Sequence, residues 1–291
     1  MRILITGGTG FVGKPTAERL QRRGHKLMLL VRDSRDKNIF ASKRNLHFIK
    51  GDLSEINRLA GSIRKFKADA ALHLAWEGIP DYGAAMSAKN LIFSINLISL
   101  LAKLGYKKII CAGSCWEYGA KSGKIDEEFL PRITNAFAAA KDAIHNLGSY
   151  LAQERNVDFV WARIFYSYGP RQKPSSLVPH LIGRYSKGAN PEIKNPKGGN
   201  DFVYVDDVAR ALVAILEKHK NRQSRTYNIG SGRLTGVGEI VRKIYGAGFK
   251  NLAVRPVGFY ADISRIKKEI GWMPKIKLGE GIKKTVEYYC K

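Results

Sequence analysis

Cysteine is scarce: Cys111, Cys115 and Cys290 are the only three in 291 residues. They make no disulfide framework, and the chain opens directly on an apolar strand pattern, which together predict a reducing, cytoplasmic setting. None of the six histidines stands at a metal-ligand spacing from Cys, Asp or Glu, so no metal site is expected. The longest apolar stretch, Leu91 to Leu104, is interrupted by Ser94, Asn96, Ser99 and Lys103, and reads as a buried helix and not a membrane span. Acidic residues are outnumbered, 25 against 50 Lys and Arg, for a net charge of +25. Such a balance raises a polyanionic partner. The bases are scattered, however, as at Arg19, Arg22, Arg23, Lys107, Lys108, Lys218, Lys267, Lys268, Lys283 and Lys284, where helices would show a solvated face. Without a basic run interleaved with aromatics, no nucleic acid is expected as a partner, and a small anionic substrate suits the charge. Internal repeats, long linkers and low-complexity segments are absent too. The length leaves room for a large α/β domain with a smaller lobe, or for two domains.

What the chain does have begins at its first residues, MRILITGGTGFVG. Ile3, Leu4 and Ile5 read as a buried strand, and Gly7, Gly10 and Gly13 turn the chain into a helix from about Lys14 to Arg23. Glycines at this spacing, directly after a strand and opening a helix, let the backbone turn tightly and approach a pyrophosphate with no Cβ in the way. The helix N-terminus offers free N–H groups to the phosphates. Gly7, Gly10, Phe11 and Val12 are therefore candidate dinucleotide-binding positions.

A second strand, Lys26 to Val31, ends on Arg32, with Arg35 close behind. An acidic residue there would bond the ribose 2′-hydroxyl of NAD, whereas arginine matches the 2′-phosphate of NADP. Arg32 thus points to NADP, with NAD as the alternative if Arg32 only solvates a loop. Further strands are expected over Leu46 to Ile49, Ala70 to Leu74 and Lys108 to Ala112, with an amphipathic helix from Asn90 to Leu104. Strands alternating with helices predict an α/β fold, a doubly wound parallel sheet of the Rossmann type with ligands at the carboxyl ends of its strands.

Beyond the fifth strand lie Gly113-Ser114-Cys115-Trp116-Glu117-Tyr118-Gly119 and a helix carrying Phe137-Ala138-Ala139-Ala140-Lys141. With these the chain resembles the extended short-chain dehydrogenase/reductases of the nucleotide-sugar epimerase, dehydratase and ketoreductase group. The resemblance runs through TGGTGFVG at Thr6 to Gly13, GDL at Gly51 to Leu53, HLA at His73 to Ala75 and RIFYSYGP at Arg163 to Pro170. It continues through DFVYVDDVA at Asp201 to Ala209, YNIGSG at Tyr227 to Gly232 and ADISRIKKEIGWMP at Ala261 to Pro274.

In that family a hydride passes between a nicotinamide and a sugar carbon while a tyrosine phenol exchanges a proton with the sugar oxygen. A lysine one helical turn on lowers the phenol pKa and bonds the nicotinamide ribose, and a Ser or Thr holds the sugar oxygen. The resemblance assigns Ser114, Phe137 and Lys141 to the catalytic positions, with phenylalanine where the tyrosine belongs. Phenylalanine has no proton to exchange. Either this chain is an active-site variant that traps its complex, or Phe137 is natural. In the natural case another group, such as Tyr118 or a water, donates the proton, or the protein has become a binding module.

The resemblance also assigns Asp52 and Leu53 to the adenine, Leu74 and Ala75 with Lys141 to the pyrophosphate and ribose, and Trp76 to the floor of the sugar site. Cys115 and Trp116 occupy the places of the Asp-Glu pair of sugar 4,6-dehydratases, so dehydration is not expected. Both are candidate substrate contacts. Cys115 is more a small buried residue than a catalytic thiol, and the role of Glu117 stays open. Residues 1–163 are expected to form the dinucleotide-binding domain and 164–291 a smaller, nucleotide-sugar-binding lobe with interleaved sheet strands. Tyr166, Val178 and Arg255 are that lobe's candidate contacts, Arg255 because Asn200 cannot supply the family's diphosphate arginine. Asp206 and Asp207 read as a helix cap and a lobe contact, Asp262 and Trp272 as cap and packing. The implied activity is NADP(H)-dependent reduction of a nucleotide-linked 4-keto-6-deoxy sugar. The alternatives are an NAD-retaining nucleotide-sugar 4-epimerase and a non-catalytic binding protein. A homodimer through the helices around Asn90 to Leu104 and Phe137 to Gln153 is implied by the resemblance.

Overall fold

A computed structural model gives the architecture and describes every residue except 120–121, 194, 221–223, 247, 250–254 and 291. In chain order the elements are β1 (Arg2–Thr6), α1 (Gly13–Arg22), β2 (Lys26–Val31), β3 (Leu46–Lys50), α2 (Ala60–Phe66), β4 (Ala70–His73), α3 (Ala84–Lys103) and β5 (Lys108–Ser114). There follow β6 (Gly123–Ile125), α4 (Ala136–Gln153), β7 (Asp158–Ile164), β8 (Tyr166–Tyr168), α5 (Leu177–Tyr185), β9 (Gly198–Asn200), β10 (Phe202–Tyr204) and α6 (Val205–Lys218). The last are β11 (Arg225–Ile229), β12 (Thr235–Gly236), α7 (Val237–Tyr245), β13 (Val257–Ala261), α8 (Ser264–Ile270) and α9 (Leu278–Tyr289).

The chain divides into two compact units. One comprises Met1–Gly119, Leu130–Arg163 and Leu212–Tyr227; the other comprises Ala120–Phe129, Ile164–Ala211 and Asn228–Lys291. The main sheet has seven strands in the order β11-β7-β5-β4-β1-β2-β3. β1 pairs in parallel with β2 and β4, β2 with β3 and β4 with β5, so Thr6, Val31, His73 and Ser114 end their strands along one edge. Ile3, Ile5, Leu27, Leu29, Ile109 and Ile110 are fully buried, as strands covered by helices on both faces require. The doubly wound α/β expectation is met.

Two boundaries differ from the sequence reading by more than one residue. β5 runs on to Ser114, which brings the hydroxyl into the strand end itself. α3 starts at Ala84, not Asn90, because Ala84-Ala85-Met86-Ser87-Ala88 are mostly good helix formers that carry no apolar stripe to announce them. By length and composition α3 matches a membrane-spanning helix, yet its Leu97, Ile98 and Leu101 are wholly buried in the core with Ile109, Phe159 and Trp161.

The second unit has its own core, with Tyr168, Val178, Leu181, Ile182, Ile240 and Val241 at its centre. Two buried aspartates hold its loops. Asp201 accepts N–H bonds from Ser231 (2.5 Å), Gly232 (2.9 Å) and Ala261 (3.0 Å). Asp207 accepts from the N–H groups of Lys275 (3.0 Å) and Ile276 (2.9 Å) and pairs with Arg210, while Trp272 donates to its carbonyl oxygen. Asp207 is a loop anchor. Asp262 accepts the Ser264 N–H at the start of α8 and pairs with Lys124 at 2.8 Å.

Candidate functional site

The turn from β1 into α1 is built by steric exclusion. Gly7 has φ +70°, and a Cβ on it would lie 2.6 Å from the Ala75 nitrogen. At Gly13 a Cβ would lie 1.9 Å from the Gly7 carbonyl oxygen. The Gly10 N–H donates to Gly7 O at 3.0 Å, closing the turn, and the Leu74 N–H donates to Thr6 O at 3.1 Å. Gly7, Leu74 and Ala75 thus meet backbone to backbone. Val12 caps α1 with no side-chain bond, and no acidic residue stands in its first turn. Open N–H groups and a positive helix end are what a pyrophosphate needs.

Arg32 extends from the end of β2 with an exposed side chain, and its Nη1 lies 3.7 Å from Glu77 Oε1. Asp52 begins a short 3₁₀ turn and accepts the Ser54 N–H at 2.8 Å, with Leu53 the first residue of the turn. Burial pushes the Asp52 carboxyl up, but the Ser54 bonds with the charges of Arg32 and Lys89 outweigh it and leave the group below its ordinary value. Arg32 is therefore flanked by two carboxylates that compete with a phosphate. Asp33, next along, is held by Arg35 through bonds of 2.5 and 2.8 Å.

At the end of β5, Ser114 caps a 3₁₀ turn over Cys115–Tyr118 in a capping box. Its Oγ accepts the Trp116 N–H at 3.2 Å, and Glu117 Oε1 accepts the Ser114 N–H at 2.7 Å. The Ser114 hydroxyl proton has no acceptor among the described residues, so it is free for a ligand oxygen. Glu117 is fully buried. It accepts from Trp161 Nε1 (2.9 Å) and Arg163 Nε (2.7 Å), and Arg163 Nη1 donates to the Tyr118 hydroxyl at 3.1 Å. Burial raises the Glu117 carboxyl, offset in part by Arg163 and the donors around it. The role of Glu117 is thus structural: it fixes Ser114. Tyr118 belongs to this buried knot. Cys115 is also buried, at 1% exposure.

α4 is capped by Asn135, whose side chain accepts the Ala138 N–H, and it presents Phe137 and Lys141 one turn apart. Phe137 lies in a box of rings. Trp76 stands 4.9 Å away, Tyr82 5.2 Å and Trp116 5.6 Å, all edge to face. Tyr82 also packs on Trp116 at 4.8 Å. Lys141 Nζ donates to Ala112 O at 2.7 Å and sits 4.2 Å above the Trp76 ring and 5.8 Å from that of Phe137. Burial pushes this ammonium down to about 8, although Glu117 and Cys111 pull the other way. The Trp76 indole N–H is buried and donates to none of the described residues. The loop carrying Trp76 and Glu77 is held by α3, where Asn90 accepts the Glu77 N–H (2.8 Å) and donates to its carbonyl (3.1 Å). His73 bridges Thr6 Oγ1 (2.7 Å) and Ser94 Oγ (2.9 Å), and burial drives it down to about 3, so it stays neutral.

The first unit therefore gathers Gly7, Gly10, Leu74 and Ala75 into one cradle, and Trp76, Trp116, Phe137 and Lys141 into one cluster beside Ser114. In the second unit, Tyr166 packs on Phe202 at 5.9 Å, the Val178 side chain is part of the core, and Arg255 is exposed just before β13. Two features escaped the sequence reading. The Glu117–Arg163 pair had a visible signal, the Ser114-x-x-Glu117 capping box; Tyr82, on a loop with no periodicity, had none. Among the described residues no group of three or more His, Cys, Asp and Glu side chains is placed to hold a metal ion.

The glycine cradle, the uncapped helix end and the orphaned indole N–H fit a bound dinucleotide, and with the parallel sheet they define a Rossmann-type dinucleotide-binding protein. Residues 3–230 match the NAD dependent epimerase/dehydratase family, and the chain belongs to it. It is 27% identical over 329 residues to a bifunctional UDP-glucose 4-epimerase and UDP-xylose 4-epimerase of Pisum sativum, covering 96% of this chain and 93% of that protein. It is also 27% identical over 316 residues to a dTDP-glucose 4,6-dehydratase of Streptomyces niveus, covering 99% and 93%. Among solved structures, UDP-glucose 4-epimerase of Thermotoga maritima with UDP-glucose superimposes with a TM-score of 0.85 at 25% identity, covering 99% of this chain and 98% of that one.

Proposed function

We propose that the chain binds a nicotinamide dinucleotide and a nucleotide-diphosphate sugar and interconverts C4 epimers of the sugar with NAD retained. The observation that carries this reading is the cluster beside Ser114. A hydroxyl with a free proton, a buried ammonium and a ring-lined floor lie in the unit that holds the glycine cradle. When bound, the dinucleotide supplies hydride acceptance and return. Ser114 holds the sugar oxygen, Lys141 places positive charge beside it, and Trp76 and Trp116 exclude water from the sugar face.

The ketoreductase reading, first on sequence, gives way to the epimerase. Relatives named as 4-epimerases align along almost the whole chain, and Glu77 and Asp52 beside Arg32 weigh against a 2′-phosphate. Cys115 and Trp116 offer no acid and base for dehydration. Phe137 favours one second reading, a nucleotide-sugar-binding protein without turnover.

The test is incubation with UDP-glucose, UDP-glucuronic acid and dTDP-glucose, with chromatography of the sugars and mass spectrometry of the bound dinucleotide. NAD and a C4 epimer are expected. NADPH consumption on 4-keto sugars with no epimer formed would return the ketoreductase to first place. We propose further that the chain pairs through α3 and α4, whose Ile92, Leu147 and Tyr150 are exposed. Light scattering then reads two chains, and a single-chain mass refutes it.

A further inference from the structure

The geometry points to Tyr82 as the phenol that exchanges a proton with the sugar oxygen in place of the one Phe137 lacks; this rests on the C4 reading above. Among the described residues three rings surround Phe137, and of these only Tyr82 carries a hydroxyl. Its ring meets that of Phe137 at 73° and also touches Trp116, two residues beyond Ser114. Its hydroxyl makes no hydrogen bond to any described residue, which leaves it free for a ligand. Tyr118, the other tyrosine nearby, is fully buried with its oxygen accepting from Arg163.

The loop carrying Tyr82 is ordered on both sides. The Asp81 N–H donates to Gly78 O at 2.8 Å, and Asp81 Oδ1 accepts the Gly83 N–H at 2.8 Å. Tyr82 is half-buried, so its hydroxyl can exchange protons with solvent.

In the reductive direction the Tyr82 O–H bond breaks and its proton passes to the C4 carbonyl oxygen. C4 takes a hydride from a reduced nicotinamide dinucleotide in the same step. The sugar gains two electrons and two hydrogens, the dinucleotide loses two electrons and one hydrogen, and Tyr82 is left as the phenolate that the next oxidative half-reaction needs. In the oxidative direction the phenolate takes the hydroxyl proton as the hydride leaves C4.

The test compares the native chain, Tyr82→Phe, Phe137→Tyr and the double variant, each loaded with NAD. The panel of UDP-glucose, UDP-glucuronic acid and dTDP-glucose is used for turnover, with affinity measured by calorimetry. Tyr82→Phe should slow turnover about a hundredfold or more, the size of a lost general acid. It should also weaken sugar-nucleotide affinity about three- to tenfold, one neutral hydrogen bond. The double variant should keep turnover, because Phe137→Tyr restores a phenol to the cluster.

Unchanged turnover in Tyr82→Phe overturns the assignment. So does an inert native chain beside an active Phe137→Tyr, which leaves the C4 reading standing. Binding without turnover in all four forms also overturns it and makes the chain a binding protein. Neither binding nor turnover in any form overturns the C4 reading itself, and Tyr82 with it.

Discussion

Glu117 stands where a sequence reader looks for a substrate contact, three residues past Ser114, yet it is fully buried and bonded within the chain. Its carboxylate lies at the centre of four groups: the Ser114 N–H, Trp161 Nε1, Arg163 and, through Arg163, the Tyr118 hydroxyl. Breaking a buried pair strands the surviving charge. Glu117→Ala should therefore cost about 3–5 kcal/mol of stability, read as a fall in the urea midpoint. A loss under about 1 kcal/mol, the size of an exposed pair, would contradict the assignment. The capping box that ties Glu117 to Ser114 is local and legible in sequence. Its partners are not: Trp161 and Arg163 share a face of β7 by their spacing of two, but nothing local says that the face meets Glu117. Tyr82 is harder still, because its place beside Phe137 depends on how a loop folds back over two elements distant in sequence.

Among the elements, the β1–α1 turn was the most legible, because its glycines answer to backbone contacts inside a dozen residues and to β4, the neighbour that the parallel sheet dictates. Gly13→Ala would drive a methyl into the Gly7 carbonyl. It should cost about 1–3 kcal/mol as overpacking and weaken dinucleotide binding at least about tenfold, a 1.4 kcal/mol change. Fluorescence titration with NAD checks this, and unchanged affinity would mean that the cradle is not the binding site. α4 was legible in a different way. Its Phe137-to-Lys141 spacing puts both side chains on one face, and the structure confirms that they share the Trp76 ring. The first turns of α3 were missed because they carry alanine and buried polar groups. Ser87 is buried there, and Asn90, where the helix was expected to begin, is turned to hold the Glu77 loop and not to fill an apolar stripe.

For the molecule as a whole, two histidines set an acid limit. Burial lowers His73 to about 3 and His145 to about 4, against about 6.5 in an unfolded chain. Above pH 6.5 both are neutral, folded or not, and contribute nothing to the pH slope. As the pH falls below that value the unfolded state takes up their protons and the folded state does not, so stability falls by about 1.4 kcal/mol per pH unit for each. His145→Gln should flatten the slope of unfolding free energy between pH 6 and pH 4 by about that amount. An unchanged slope would show that His145 protonates in the folded chain.

The division into two units bears on what sequence can show. The sheet order follows from alternating strands and helices, whereas the loop anchors Asp201 and Asp207 join positions tens of residues apart and look in sequence like ordinary acidic residues.

The central claim is that the first unit supports hydride exchange at the C4 of a nucleotide sugar. The most direct measurement uses UDP-glucose labelled with deuterium at C4, incubated with the NAD-loaded native chain. The account predicts a C4 epimer that still carries the deuterium at C4, because the hydride leaves and returns within one site. An epimer whose label has washed into solvent, or no epimer from this or any other nucleotide sugar tried, would contradict it.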